Sequence, residues 1–514
     1  MSTTAAAQRT APAAVTAHPG YRTLWRWHFY AGLFVMPFLV VLAITGTLYC
    51  FQPQIEPLLY PQRLIVESPT TPRLPEETLL TRARTAMPPD ATALTAIIAS
   101  DPRRSAEFIF RLADGDKQSV YVNPYNGAVL GTLSVERRFM QVDRMLHRKL
   151  LLGKPGELLM ELAACWTLVM IGTGVALWWP REKTTARAAL LPSFSLKGRA
   201  LWKNLHAVMG IWLALGALVF VLSGLPWSGS WGKQFKALAT AANLGAPPGS
   251  WGGLKLRSTV PGASGTQAST GGAHTTNTMN AAHDEHAEHS AHAGGADSMP
   301  GMVMDDLPLP QTPWAVGNTP VPASADAPAA RAIPLGRVVT LAESLGVTNG
   351  YSIVLPTSAT GVYTVSYFPA DPKDERTLYI DQYNGAILKD IRYGDYGAVS
   401  KAVSYGTSLH MGRYFGLANQ LLCAVISLGL AAMAVTGCVM WWKRRPQSTR
   451  GAPGAPSRER AAPPMRGWKT GLVLLGIVFP LMGATLLAVW LADRAIFGRR
   501  ARSAQDGRPV AAKQ

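Results

Sequence analysis

The stretch TGVALWW at residues 173–179 returns as TGCVMWW at residues 436–442. Each copy closes a long apolar segment, and a histidine lies 26 residues before each threonine, at His147 and His410. A pattern that recurs with the same internal spacing indicates a duplicated structural unit. The sequence therefore predicts two copies of one helical unit, each with a histidine at the same place.

A second pair of histidines repeats in the same way. Thr45-Gly46 follows His28 by 17 residues, and Ser223-Gly224 follows His206 by the same interval. Ionisable side chains are costly in a bilayer, so a repeated set beside apolar segments indicates a functional site. Two pairs of imidazoles in a helix bundle are what two bis-histidine haems require.

The composition is typical of a membrane protein with large water-exposed parts. Of the 514 residues, 48% are hydrophobic and only 16% are charged. Five apolar segments reach the roughly 20 residues that a helix needs to cross a bilayer. No charge lies between Phe29 and Phe51 and no small-residue cleavage motif follows, so we expect a retained helix rather than a signal peptide. The predicted transmembrane segments are 28–51, 157–180, 204–227, 414–442 and 469–493.

The net charge of +18 comes from basic residues that lie where membrane topology predicts them, so nucleic acid is not an expected partner. The segments 1–27, 181–203 and 443–468 are rich in Lys and Arg. By the positive-inside rule these segments are cytoplasmic. The opposite side of the membrane then holds the two long loops, residues 52–156 and 228–413. We expect a multi-pass protein of a bacterial inner membrane with large periplasmic loops.

The C-terminal tail at 494–514 conflicts with five crossings of the bilayer. Five crossings place the tail on the periplasmic side, yet it carries six basic residues. Pro480 interrupts the fifth segment, and a proline inside a helix kinks or breaks it. A segment that does not cross is therefore the alternative to a fifth span.

The water-exposed halves repeat as well as the helices. SVYVNPYNGAVL at 119–130 aligns with TLYIDQYNGAIL at 377–388, and both alternate apolar and polar residues around an Asn-Gly turn. This pattern is a strong signal for a β-hairpin. We expect two small α+β modules, one in 52–156 and one in 331–413. Further strands are expected at 107–112 and 361–368, and short helices within 75–99 and 335–346.

A hairpin of this kind beside a histidine-headed transmembrane helix resembles the PepSY-associated transmembrane family. The resemblance covers residues 22–180 and 198–443 and includes both copies. It implies a bacterial inner-membrane protein tied to iron acquisition. Some members are haem-bearing reductases that release iron from ferric siderophores. The fifth helix and the insert at 228–330 depart from the family pattern.

The predicted topology separates the four histidines into two pairs. His28 and His206 begin their helices on the cytoplasmic side and form the first pair. His147 and His410 lie on the periplasmic side and form the second pair. We expect each pair to hold one haem b, which makes a path for electrons across the bilayer.

Other side chains near these histidines are candidates for supporting roles. Gly32 and Gly210 follow the first-pair histidines by four residues, so they lie on the same helix face and leave room for a flat macrocycle. Arg148 and Arg413 flank the second pair and are candidates for pairing with haem propionates, with solvated membrane-flanking arginines as the alternative. Glu161 is either a proton carrier or a side chain that reaches the lipid headgroups.

The four cysteines give no redox motif. They form no CxxC pair and lie in apolar helices or at a helix end. We therefore expect buried, small, apolar side chains. The residues are Cys50, Cys165, Cys423 and Cys438.

The insert at 228–330 contains a tract of histidines and methionines. Residues 262–330 are rich in Gly, Ala, Ser, Thr and Pro, which predicts disorder. Imidazole suits copper or iron and thioether favours Cu(I), so we interpret the tract as a copper or iron site. A linker with incidental metal affinity is the alternative. The candidate ligands are His283, His286, His289, His292, Met299, Met302 and Met304.

Motifs for other catalytic chemistries are missing from the sequence. It has no GxGxxG between a strand and a helix, no P-loop, no HExxH and no nucleophile elbow. Without a flavin or nicotinamide site, electrons must come from the quinol pool or a cytoplasmic donor. We therefore expect a haem-dependent, ferric-siderophore reductase-like oxidoreductase that passes electrons to periplasmic Fe(III). The alternatives are a copper- or iron-handling membrane protein without redox catalysis and a haem-free protein that regulates or binds a partner.

Overall fold

The computed structural model describes residues 21–67, 71–179, 185–247, 311–324, 331–348, 350–443 and 467–506. The chain divides into two compact units. The helical unit comprises Met1–Gln52, Val142–Lys236 and Gly406–Gln514, and the sheet unit comprises Pro53–Gln141 and Ala237–Tyr405. The predicted His/Met metal tract lies outside the described residues.

Helices make up most of the described chain, and its strands join in one sheet. The helices are α1 (Tyr21–Cys50), α2 (Gln52–Leu59), α3 (Pro61–Leu64), α4 (Glu76–Thr85), α5 (Phe139–Lys149), α6 (Gly153–Trp178), α7 (Ala186–Leu190), α8 (Gly198–Gly224), α9 (Trp231–Ala241), α10 (Leu335–Ser344), α11 (Ala398–His410), α12 (Leu417–Trp442), α13 (Trp468–Val478) and α14 (Pro480–Asp506). The strands are β1 (Thr92–Ile98), β2 (Ala106–Arg111), β3 (Lys117–Val122), β4 (Val129–Ser134), β5 (Tyr351–Val354), β6 (Val362–Tyr367), β7 (Arg376–Asp381) and β8 (Ile387–Arg392).

The helical unit is built on a four-helix bundle. Among the described residues, α1, α6, α8 and α12 are long and apolar enough to cross a membrane. α1 packs against α6 and α12, and α8 packs against the same two helices. α1 and α8 therefore lie at opposite corners of the bundle, as do α6 and α12. The chain is a membrane protein with several apolar helices and a separate antiparallel sheet.

α1 and α8 begin earlier than the sequence predicts. α1 starts at Tyr21 and α8 at Gly198, so His28 and His206 lie two turns inside their helices rather than at the first residue. Packing explains the longer α1, because the ring of Trp25 stacks on Phe29 one turn later, with ring centroids 5.2 Å apart. The basic residues of this stretch do not end the helix.

The second-pair histidines lie near the C-terminal ends of their own helices. α5 ends at Lys149, and α11 ends at His410. The chain breaks after α5 at Leu150 and Leu151, whose φ angles are 52° and 59°. Pro155 lies in the first turn of α6, where its missing N–H has no helical hydrogen-bond partner to lose.

The fifth apolar segment, predicted as a span at 469–493 with a segment that does not cross as the alternative, is not a single helix. The segment is divided at Phe479 into α13 and α14, and Pro480 begins α14 because it has no N–H with which to continue α13. A Cβ atom added to Gly483 would lie 3.1 Å from the Cα atom of Gly476. The two helices therefore double back on each other as a helical hairpin.

The direction of this hairpin follows from its contacts with α6. Trp231 Nε1 donates a hydrogen bond to the Val478 carbonyl at 2.7 Å, and the backbone N–H of Trp231 donates to Glu161 at 3.1 Å. Further along α6, Trp166 Nε1 donates to Thr485 Oγ1 at 2.9 Å. α14 thus runs alongside α6 in the same direction. It returns to the end of the bundle from which α13 came.

The sheet unit contains one antiparallel sheet in the order β4-β3-β2-β1-β5-β6-β7-β8. β1 pairs with β5 from Thr95↔Val354 to Ile98↔Tyr351. The two predicted α+β modules therefore share one sheet rather than forming separate ones. α4 and α10 supply buried residues such as Leu79 and Val338 to the same core as the sheet.

Both predicted hairpins are confirmed, and so is a short helix within 75–99. β3–β4 and β7–β8 pair antiparallel, and each turn contains a glycine with positive φ, 72° at Gly127 and 73° at Gly385. In the range 75–99 only Glu76–Thr85 is helical, whereas TALTAII at 92–98 forms β1. β-branched Thr and Ile favour a strand over a helix.

We expect the start of α1 and the end of α14 to lie on the same side of the membrane. The helical hairpin brings α14 back to the end of the bundle from which α13 came, so we expect this segment to add no net crossing to those of α1, α6, α8 and α12. A compartment-sensitive reporter fused ahead of Tyr21 should give the same signal as one fused after Asp506. A fusion within the sheet unit serves as the control and should give the opposite signal. Opposite signals at the two ends would contradict the hairpin.

Candidate functional site

The first histidine pair faces across the bundle. His28 lies on α1 and His206 on α8, the two helices at opposite corners. Their ring centroids are 6.3 Å apart, and their planes meet at 82°. The structure therefore brings these two predicted residues together.

The second pair has almost the same geometry. His147 on α5 and His410 on α11 have ring centroids 6.5 Å apart and an interplanar angle of 83°. The Nδ1 atom of His147 lies 2.8 Å from the hydroxyl of Thr45 on α1. Because Thr45 is 17 residues from His28 on that helix, the two pairs lie about 25 Å apart along the bundle.

Each imidazole is held by a hydroxyl on a neighbouring helix. The four hydroxyls belong to the Thr-Gly and Ser-Gly pairs that recur in the sequence. The Nδ1–Oγ distances are 3.0 Å for His28–Thr173, 2.8 Å for His206–Thr436, 2.8 Å for His147–Thr45 and 2.9 Å for His410–Ser223. Sequence reasoning recorded these offsets but missed the role of the hydroxyls.

The hydroxyls also decide which ring nitrogen carries the proton. Each one donates to a carbonyl of its own helix, as Thr173 does to Val169 at 2.7 Å and Thr45 to Val41 at 2.6 Å. With its proton used in this way, the hydroxyl accepts a hydrogen bond from Nδ1–H of the histidine. The Nε2 atom is then unprotonated, which is the form that binds a metal.

The glycine after each hydroxyl makes room for the ring. A Cβ atom on Gly174 would lie 3.1 Å from Cε1 of His28, and one on Gly46 would lie 3.3 Å from Cε1 of His147. Gly224 and Gly437 approach His410 and His206 in the same way, at 3.5 Å and 3.9 Å. A residue with a side chain would push the imidazole away from the hydroxyl that holds it, most strongly at Gly174.

The spacing of the rings fits a metal ion held between two imidazoles. Metal–nitrogen distances of about 2.0–2.1 Å set the two nitrogens about 4 Å apart. The ring centres lie about 1 Å further out on each side, which gives about 6 Å between centroids. The observed 6.3 Å and 6.5 Å match this value. The spacing of each pair therefore fits two imidazoles that would hold one metal ion, such as a haem iron, between them.

Burial keeps the second pair neutral. Both histidines lie outside the four long apolar helices. Burial, together with repulsion from His410 and Arg148, lowers the pKa of His147 to about 3. Burial lowers the pKa of His410 to about 4. Asp143, one turn before His147, is also buried, and this raises the pKa of its carboxyl to about 6.

The other candidate residues have specific neighbours. A Cβ atom on Gly32 would lie 3.9 Å from Met170 Sδ, and one on Gly210 would lie 3.2 Å from Met433 Cε, so both glycines face a methionine of the adjacent helix. Arg148 donates a hydrogen bond to the Trp227 carbonyl at 3.4 Å. Arg413 lies in the connection between α11 and α12 and is half-buried.

Glu161 has a structural role that the sequence did not indicate. Its side chain is buried, and one carboxylate oxygen accepts hydrogen bonds from the backbone N–H groups of Ser230 at 2.9 Å and Trp231 at 3.1 Å. These groups are at the start of α9, where N–H groups lack helical partners. Glu161 therefore stabilises the N-terminus of α9 rather than reaching the lipid headgroups.

These observations define a class of membrane protein in which a four-helix bundle holds two facing imidazole pairs. Residues 25–444 match the family described as the PepSY-associated TM region. The match covers most of the chain, so the protein belongs to this family. No curated protein matches the chain.

We expect Thr173→Val to destabilise the bundle more than Thr167→Val. Valine at 173 leaves the buried Nδ1–H of His28 without its hydroxyl acceptor, which costs about 1–3 kcal/mol. Thr167 is the matched control, because it is buried on the same helix and, within the described part of the chain, its hydroxyl donates to the Ala163 carbonyl and contacts no histidine. Thermal unfolding in detergent measures the difference, and equal losses would show that the His28–Thr173 bond is not needed.

Proposed function

We propose that this protein is an inner-membrane di-haem b electron-transfer protein that reduces periplasmic ferric chelates of the siderophore type. The observation that carries the proposal is the pair of facing imidazole sets with matched spacing. Each has its Nδ1 atoms held by a neighbouring helix, so Nε2 is available for a metal. A metal-free packing role would not require all four histidines to be oriented in this way.

The chain's own residues would do three things for these haems. His28 with His206, and His147 with His410, would supply the axial nitrogens. The hydroxyls on Thr173, Thr436, Thr45 and Ser223 would hold each ring in one tautomer and one orientation, as outer ligands do at metal sites. The apolar bundle would exclude water from both sites. When bound, a bis-histidine haem supplies reversible one-electron transfer.

The separation of the two pairs supports transfer across the membrane. The pairs lie about 25 Å apart along the bundle, which is most of the roughly 30 Å hydrocarbon core. One site would accept electrons near the cytoplasmic face, from the quinol pool or a cytoplasmic donor. The other would deliver electrons near the periplasmic face. Arg148 and Arg413 flank that second pair and would favour anionic groups there.

The family resemblance implies the substrate class, and the chemistry of iron explains how reduction would release the metal. Siderophore-type chelates bind Fe(III) through hard oxygen ligands, and reduction to Fe(II) lowers the affinity of these ligands for the metal. The substrate would gain one electron and release its metal. The basic segments around the helices favour an orientation in a bacterial inner membrane with the sheet unit in the periplasm.

A visible spectrum of the purified protein tests this function. We expect a b-type α-band in the reduced-minus-oxidised spectrum, bleached when a ferric chelate is added to the reduced protein. His28→Ala and His147→Ala should each remove about half of the band, because each breaks one pair and leaves the other. His18→Ala is the control and should retain the full band. A protein without the band, or with a band that ferric chelates do not bleach, would favour metal handling without redox catalysis or a haem-free role.

We also propose copper or iron binding by the His/Met tract. Four histidines spaced every three residues, followed by three methionines, combine imidazole and thioether donors. Deletion of 274–304 should change copper or iron tolerance and leave the haem band unchanged. Replacement of the same span by a Gly/Ser linker of equal length controls for the shortened loop. Unchanged copper and iron tolerance would contradict metal binding and indicate that the tract is a linker.

A further inference from the structure

Two buried cysteines from opposite halves of the chain meet beside a second-pair histidine. Cys50 is the last residue of α1, and Cys423 lies in the second turn of α12. They are 4% and 2% exposed, so both side chains are packed against other residues. Both sulfur atoms lie beside the same backbone carbonyl, that of His410.

The sulfur atoms of Cys50 and Cys423 both lie close to the backbone carbonyl oxygen of His410. Cys50 Sγ lies 3.6 Å from the His410 carbonyl oxygen, and Cys423 Sγ lies 3.9 Å from the same atom. Cys423 also donates to the Leu409 carbonyl at 3.3 Å. These carbonyls belong to the last turn of α11, which carries the imidazole of His410.

A polar side chain with an unused acceptor completes the cluster. The Asn419 amide donates through Nδ2 to Cys423 Sγ at 3.4 Å and to the Leu409 carbonyl at 3.0 Å. Its Oδ1 atom is buried and has no hydrogen-bond partner among the described residues.

The pair is a departure from the internal duplication. At the offset of 178 residues that relates His28 to His206, Cys50 corresponds to Ser228. At the offset of 263 residues that relates His147 to His410, Cys423 corresponds to Met160. The fold therefore does not require thiols at these positions, and only one of the two equivalent places holds the pair.

We propose that Cys50 and Cys423 form a redox-active thiol pair that converts to a disulfide linking α1 to α12. The Cys423 thiol loses its proton and attacks a small disulfide, which forms a mixed disulfide and releases one sulfur that takes up this proton as a thiol. Cys50 then attacks the Cys423 sulfur, loses its proton and releases the second thiol. Two S–H bonds are lost and one S–S bond forms, and the two electrons reduce the small disulfide to two thiols. This reaction does not depend on the proposed haem function.

Formation of the disulfide would change the hydrogen bonds made by the last turn of α11. In the dithiol form, S–H groups donate to the Leu409 and His410 carbonyls. In the disulfide form both donors are lost, while α1 and α12 become covalently joined. Oxidation therefore acts on the backbone of His410 and on the stability of the bundle together.

Thiol counting tests the pair in the full-length protein. The protein is equilibrated with oxidised and reduced glutathione at varied ratios, quenched with acid, and alkylated in SDS with a maleimide that adds a large mass. We expect the number of alkylated cysteines to fall from four to two in a single step that dithiothreitol reverses. Peptide mass spectrometry should find the link between the peptides that contain residues 50 and 423.

Variants of the other cysteines provide matched controls. Cys165→Ala and Cys438→Ala should still lose two thiols on oxidation, whereas Cys50→Ala and Cys423→Ala should lose none. Oxidised wild-type protein should unfold at a higher temperature than reduced protein, and the two alanine variants at 50 and 423 should show no such difference. Retention of all four thiols at every ratio, stable glutathione adducts, or a two-thiol loss in Cys50→Ala would overturn the proposal.

Discussion

The hydrogen bond from an imidazole Nδ1–H to a hydroxyl on the next helix is the interaction on which the helical unit depends. Four ionisable rings lie inside an apolar bundle, where an unsatisfied polar group is costly. Thr173 on α6 satisfies His28 on α1, and Thr436 on α12 satisfies His206 on α8. The same bonds that make burial tolerable also fix the direction of each ring, so stability and metal-binding geometry come from one contact.

Duplication alone does not make a site, because each pair takes one histidine from each half. His28 and His147 come from the first copy, and their partners come from the second. A single copy therefore holds two isolated imidazoles and no pair. The sheet unit follows the same logic, since β1 and β5 from different copies pair at the centre of one sheet. Both units are completed only when the two halves meet.

Several contacts occur in one copy of the duplicated unit and have no equivalent in the other. Glu161 stabilises the start of α9, Cys50 meets Cys423 beside His410, and α13 with α14 forms a hairpin against α6. Each of these features joins distant parts of the chain. None of them disturbs the four hydroxyl–imidazole bonds.

The sequence by itself determined the helices, the hairpins and the four histidines, because each depends on local pattern. Apolar length predicts a span, alternation around Asn-Gly predicts a hairpin, and equal offsets identify His28 with His206 and His147 with His410. Local pattern predicted a short helix within 75–99 but did not identify the strand that follows it there, because TALTAII forms β1 by pairing with β2 and β5. It also predicted 469–493 as one span, because a hydropathy pattern shows how long an apolar segment is but cannot show that the chain reverses at Pro480.

Only the tertiary structure decided what lies against each ring. Thr173 and His28 are 145 residues apart, and Ser223 and His410 are 187 apart, so no window of sequence contains both partners. The order of helices around the bundle brings them together, and close packing allows one hydroxyl to serve both its own backbone and the imidazole. Cys50 and Cys423 show the same principle, because their separate positions indicated only small buried side chains until the fold placed the two sulfurs around one carbonyl.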